Sequence, residues 1–205
     1  IVVICLFYSG YGVTLGLMKK EGYVKTLLSR RALKVLLHFD IAVLIYWLLG
    51  LALGKNYTFE KLLLSFIGLD TVGSSIWFIF VTLILYIVTW LSFRFIKKRV
   101  IISTCIATLL SVVAVILLFV FKKNESWWYD TLLCYPLGMW YAIAKPYIDK
   151  ALLPNIGKWL ACTGVTLIAF ITLYYFFEQS RRDRAVFVPM SFIFALLLVF
   201  VSMRM

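Results

Sequence analysis

The sequence predicts an all-α fold, a polytopic bundle with about seven transmembrane helices, and three observations carry that prediction. Apolar residues make up 64% of the 205-residue chain, with a mean hydropathy of +1.00, where an ordinary soluble domain is about half apolar. Several apolar runs approach the ~20 residues that cross a bilayer as a helix. The short alternating segments of a membrane barrel are missing from the pattern. The net charge of +12 comes from bases set in short loops between apolar runs. That placement orients a membrane protein, so the lipid bilayer is the expected partner and nucleic acid is not. Cys5, Cys105, Cys134 and Cys162 fall one to an apolar run, with no Cys-x-x-Cys or Cys/His spacing. They read as buried free thiols, and no metal site is expected.

The first apolar segment, residues 1–18, opens inside an apolar run with no basic leader or cleavage pattern. It reads as the remainder of a chain that lacks an N-terminal portion. Its glycines interrupt it at Ser9–Gly10–Tyr11–Gly12, and Gly12 and Gly16 form a small-xxx-small pair suited to close helix approach. Residues 19–34 form a basic connector. Segment two, 35–54, carries His38 and Asp40 near its start and a second small-xxx-small pair, Gly50 and Gly54. The loop 55–75 has balancing charges and an apolar middle, 62–69, that suits a short interfacial helix.

Segment three, 76–93, opens on Trp77–Phe78 and is followed by a basic turn at Arg94, Lys97, Lys98 and Arg99. Segment four, 100–121, is rich in β-branched residues, but so long an apolar span must be helical in lipid. Segment five, 131–148, contains Pro136 and Gly138, which predict a kink or an unwound turn. Segments six and seven span 159–177 and 185–202, the latter with Pro189 expected in its first turn, where proline is tolerated. Basic connectors at 19–34, 94–99 and 145–158 alternate with near-neutral loops, which places them together on the cytoplasmic side. Arg181, Arg182 and Arg184 fall on the other side, offset by Glu178 and Asp183. The whole of 1–205 reads as one membrane domain.

The connector that precedes segment two holds the candidate site. Lys19, Lys20, Lys25, Arg30, Arg31 and Lys34 stand there against one acid, Glu21. In helical form Arg31, Lys34 and His38 fall at i, i+3 and i+7 and share a face. Such a face suits a phosphate-rich ligand, since Arg and Lys supply charge and donors together. The same charges also set topology. His38 is the only imidazole in the chain; neighbouring cations lower its proton affinity, which weighs against a general base and for a histidine hydrogen-bonded within the bundle. Ser9 lacks the Gly-x-Ser-x-Gly surroundings of a nucleophile. Asp130 lies beside Trp127–Trp128–Tyr129, and an interfacial aromatic belt with one solvated acid accounts for that cluster.

Phe7–Tyr8–Ser9–Gly10–Tyr11, followed by a connector with Arg30–Arg31, resembles the membrane-bound acyltransferase type 3 family. Trp77–Phe78–Ile79 leading to Tyr86 is similar to a mid-domain helix of that family, and Trp127–Trp128–Tyr129 running into Tyr135–Pro136–Leu137–Gly138 is similar to a further stretch of it. The likeness covers residue 7 to about residue 141. It implies about ten membrane helices in the whole protein. It also implies transfer of an acyl group, acetyl above all, from cytoplasmic acyl-CoA to a carbohydrate or glycolipid of the cell envelope. The location implied is the bacterial cytoplasmic membrane, with acetyl-CoA as co-substrate and no bound cofactor.

On this resemblance Arg30, Arg31 and Lys34 bind acyl-CoA, and Ser9, Gly10, Tyr11 and Trp77 line the channel. The family's Arg-x-x-Arg pair reads Arg31–Ala32–Leu33–Lys34 here, keeping the charge without the second planar fork. The family's catalytic histidine belongs to a helix that precedes this stretch, so the chain as given is expected to be inactive by itself. Two rivals from other classes are a transporter or flippase, which calls for paired broken helices and midplane charges, and a membrane ligand-sensing module.

Overall fold

Lipid offers a backbone amide no partner, so every apolar segment has to close its hydrogen bonds within itself. The computed structural model of the chain, which describes residues 2–66, 70, 77–96, 99–122, 125–180 and 183–204, shows that outcome. The described helices are α1 (Val2–Lys19), α2 (Tyr23–Leu27), α3 (Leu33–Ala52), α4 (Phe59–Phe66), α5 (Trp77–Phe95), α6 (Val100–Phe121), α7 (Cys134–Leu152), α8 (Ile156–Gln179) and α9 (Arg184–Ser202). Six runs are long and apolar enough to cross a membrane: α1, the continuous stretch Tyr23–Ala52, α5, α6, α8 and α9. The expected fifth segment forms α7. At 19 residues it is roughly 28 Å long, close to the thickness of the hydrocarbon core. Lys145, Asp149 and Lys150 in its second half keep it out of that apolar set. Lys97, Lys98, Arg181, Arg182 and residues 67–69, which figured in the loop and topology expectations, lie outside the described residues.

The chain divides into two compact units: Ile1–Lys19 with Val112–Met205, and Lys20–Ser111. In the first unit α1 packs along α7. The contact is made by two glycines. A Cβ on Gly10 would collide with the Tyr135 carbonyl, and a Cβ on Gly138 would collide with the Phe7 carbonyl. The backbones therefore touch, which in lipid replaces the missing hydrophobic drive with dispersion and close Cα–H to carbonyl contact. Three expectations are corrected by this contact. Ser9–Gly12 does not break α1, which runs on to Lys19. The glycine that seats the neighbour is Gly10, while Gly12 and Gly16 stay half-buried. Segment five opens with a turn at 131–133 and is helical from Cys134 on: Pro136 is the third residue of α7, where its missing N–H is no loss, and Gly138 serves packing rather than a bend.

Elsewhere in the first unit α8 and α9 form an antiparallel pair. Phe170 meets Phe194 at 5.4 Å and Phe177 meets Phe187 at 5.5 Å between ring centroids. Trp159 Nε1–H donates to the Phe200 carbonyl at 2.8 Å, occupying one of the acceptors that the last turn of α9 leaves open. Asn155 and Asp183 cap the N-termini, accepting from the Lys158 and Ala185 amides at 3.1 and 3.0 Å. Because Asp183 starts the helix at Arg184, Pro189 is the sixth residue of α9 and not in its first turn. That placement costs the helix a hydrogen bond.

The second unit is built on α3. Phe39 and Val43 bury against Leu62 of α4, with Trp47, Tyr57, Phe66 and Ile79 packed around them. The end of α3 corrects another reading. Gly54 adopts φ +74° and the chain reverses, with Lys55 N–H donating to Gly50 O at 2.9 Å and Gly54 N–H to Leu51 O at 3.0 Å. This double bond pattern is a glycine C-cap, so Gly50 and Gly54 terminate a helix instead of receiving another one. Gly50 is covered by the Tyr57 ring. On α5 the hydroxyls of Thr82, Thr89 and Ser92 return to the carbonyls of Phe78, Leu85 and Val88 at 2.7–2.8 Å. Polar side chains are thereby satisfied inside their own helix.

Candidate functional site

The connector is mostly helix. Between α2 and α3 the backbone widens into one π-helical turn, Leu28–Ala32, closed by Leu33 N–H on the Leu28 carbonyl. Such single widened turns recur at functional sites, and this one contains Ser29, Arg30 and Arg31. Arg30 is exposed, Arg31 half-buried and Lys34 exposed. Among the described ion pairs, which join Lys61 to Asp70, Lys122 to Glu125 and Lys145 to Asp149, none takes up these three cations.

Immediately after this turn α3 and α5 enclose an open groove of about 670 Å³, lined by Lys34, Val35, His38, Phe39, Ala42, Phe78 and Ile79. Its composition is one-sided. Lys34 and His38 stand at the end nearest the basic turn, and the remaining walls are aliphatic and aromatic. Of Arg31, Lys34 and His38, expected on one face, Lys34 and His38 line this groove, whereas Arg31 lies in the widened turn before it and is not part of the lining. His38 Nδ1 lies 2.6 Å from the Lys34 carbonyl. A carbonyl only accepts, so Nδ1 carries a proton and donates to it, which selects the Nδ1–H tautomer of the uncharged form. One turn of helix thus fixes both the ring and its tautomer.

Asp40 follows His38 by two residues and does not join the lining. Its Oδ1 is buried without a hydrogen-bond partner among the described residues. Trp77 opens α5, half-buried, with its ring edge-on to Phe78 at 6.2 Å. It stands next to a groove residue without lining the groove itself.

Ser9, Gly10 and Tyr11 belong to the first unit. Gly10 is consumed by the α7 contact, while Tyr11 joins an aromatic run in which Tyr8, Tyr11 and Tyr141 follow one another at 6.2 and 5.7 Å, with Phe7 against Tyr141 at 5.5 Å. Along α7 from Tyr141, Lys145 pairs with Asp149. A third polar group sits between α6 and α7. Trp128 Nε1–H donates to Glu125 at 2.7 Å, Lys122 lies 5.0 Å over the Trp128 ring, and Arg184 donates to the Tyr129 hydroxyl at 2.9 Å. Burial raises the Asp130 carboxyl above the usual carboxylate range, against the lowering influence of a hydrogen bond with Ser126 and the charge of Arg184.

Of the groove lining, Lys34 and His38 are residues that the sequence singles out. Sequence reasoning missed Ala42, Phe78 and Ile79, whose role exists only once α5 lies beside α3. It also missed the partnership of Tyr11 with Tyr141, which are 130 positions apart.

Comparison with family models, with curated proteins and with solved structures found no match to the chain. The fold and the geometry define the class by themselves: a multi-pass helical membrane protein with a basic turn above an apolar interhelical groove.

Proposed function

We propose that the chain is the donor-binding part of an integral membrane O-acyltransferase. In this reading an acyl group, acetyl in the simplest case, passes from cytoplasmic acyl-CoA to a carbohydrate or glycolipid of the bacterial cell envelope. The supporting observation is the adjacency of Arg30, Arg31 and Lys34 to the α3–α5 groove, with His38 at the boundary between charge and hydrocarbon. An acyl-CoA has the matching anatomy. Its phosphates need cations with several donors, and its acyl end needs a dry surface.

The reaction itself forms a carbon–oxygen bond between the acceptor hydroxyl and the thioester carbonyl carbon and breaks the carbon–sulfur bond. The hydroxyl proton finally resides on the departing thiol. The cations of the widened turn serve binding, and His38 stands at the groove end nearest them, beside Lys34.

The test is calorimetric binding of acetyl-CoA to the full chain in nanodiscs at low and high salt. Binding that weakens with salt and falls further in Arg30→Ala and Lys34→Gln supports the reading. A folded sample that binds acetyl-CoA at neither salt rejects it.

A further inference from the structure

We infer that the α3–α5 groove is an acyl-chain channel and that Ala42, with Ile79 facing it, sets the length of chain accepted, so that the preferred donor carries an acyl group longer than acetyl. This inference rests on the acyl-CoA reading of the same site and adds the identity of the group transferred. Lys34 and Ala42 both line the groove and are eight residues apart on one continuous helix, which places them roughly 12 Å apart along its axis. An acetyl group at the Lys34–His38 end leaves most of that length vacant. The wall beyond His38 offers no donor or charge: Phe39, Ala42, Phe78 and Ile79 are all hydrocarbon. Phe39 is buried in the α3–α4 core, which fixes the wall. Ala42 is the smallest of these residues, so its missing side chain opens the far end. The groove is therefore graded, cationic where the turn of Arg30 and Arg31 begins and apolar two helical turns further on. A single-chain amphiphile with an anionic head complements both ends, and the acyl-CoA donor is the occupant that also satisfies the basic turn.

The experiment is a chain-length series, acetyl-, butanoyl-, hexanoyl- and octanoyl-CoA, titrated into the full chain in phosphatidylcholine nanodiscs below the micellar range. Each buried methylene tightens binding by roughly two- to fourfold, so octanoyl-CoA is expected to bind at least about sixtyfold tighter than acetyl-CoA. Ala42→Trp is expected to abolish that gain, bringing octanoyl-CoA down to the affinity of acetyl-CoA in the same variant. Ile79→Trp, which fills the groove from the opposite wall, gives the same result should Ala42→Trp not fold.

A flat series in a protein that does bind acetyl-CoA overturns the channel and leaves the acyltransferase reading standing. Failure to bind any member overturns both. A chain-length gain that persists in both tryptophan variants places the chain elsewhere and overturns the assignment. So does a gain that disappears when phosphatidylglycerol replaces half of the phosphatidylcholine, since the groove would then hold lipid.

Discussion

The α1–α7 contact and the α3–α5 groove are both interhelical surfaces drawn from small and apolar residues, yet one is closed and the other open. At Gly10 and Gly138 each helix presents bare backbone to the other's carbonyl. Two side chains are deleted where they would have met, and the helices close. At Ala42 one side chain is small while the α5 residues of the lining, Phe78 and Ile79, are large, and Ile79 packs against the neighbouring core. Only one surface is cut back there, and a gap remains. Hydrophobic drive does not close such a gap in a bilayer, because lipid is as apolar as the walls. Where a membrane protein leaves one open beside a cluster of cations, an amphiphile is the natural occupant.

The sharpest way to break this contrast is to add a side chain where the backbones touch. Gly138→Val or Gly10→Val drives a branched group into a carbonyl that cannot rotate away, and should cost about 3 kcal/mol or more. The result would appear as a collapse of the denaturant midpoint of the purified protein. A midpoint unchanged in both variants would mean that the contact is not close. Less severe, and confined to the other unit, Arg31→Ala should weaken acetyl-CoA binding by about tenfold, the worth of a charged hydrogen bond. Its unfolding midpoint should stay where it was, and equal affinity for the two proteins would remove Arg31 from the site.

Smaller again is Gly54→Ala. Its φ of +74° is left-handed, so alanine should cost about 1 kcal/mol through the helix end rather than through packing. A proton-linked effect should be the slightest. The Asp130 carboxyl is raised in the folded state, so the native chain binds its proton more tightly than the unfolded chain does. Its favourable contribution is complete below the ordinary carboxylate range and is lost as pH rises through the raised value. Asp130→Asn should therefore be slightly more stable than the parent at neutral pH and flatten that slope. A variant less stable at pH 7 would show instead that the charged form is stabilised by Arg184.

Most of the helix inventory was legible because lipid leaves an apolar run no alternative to helix. Segment four and α6 coincide at 100–121 despite the β-branched content. What misled were glycine and proline. Pro136 and Gly138 carry the same local signal as a kink. Whether they bend a helix or seat another one is decided by α1, which lies more than a hundred residues away in sequence. Gly50 and Gly54 likewise fit a helix-contact spacing and a C-cap equally well, and the reversal at Lys55 decides between them. The basic turn was visible as charge. Its π-helical widening, the His38 tautomer and the far wall of the groove depend on backbone geometry and on α5, which periodicity does not carry.

The claim that ligand binding belongs to the second unit while the α1–α7 contact is scaffold is tested most directly by hydrogen exchange of the full chain in nanodiscs with and without acyl-CoA. The account predicts slowed exchange across Leu28–Ala32 and the adjoining turns of α3 and α5 that border the groove, with α1 and α7 unchanged. Protection confined to α1 and α7, with the basic turn unaffected in a sample shown to bind, would contradict it.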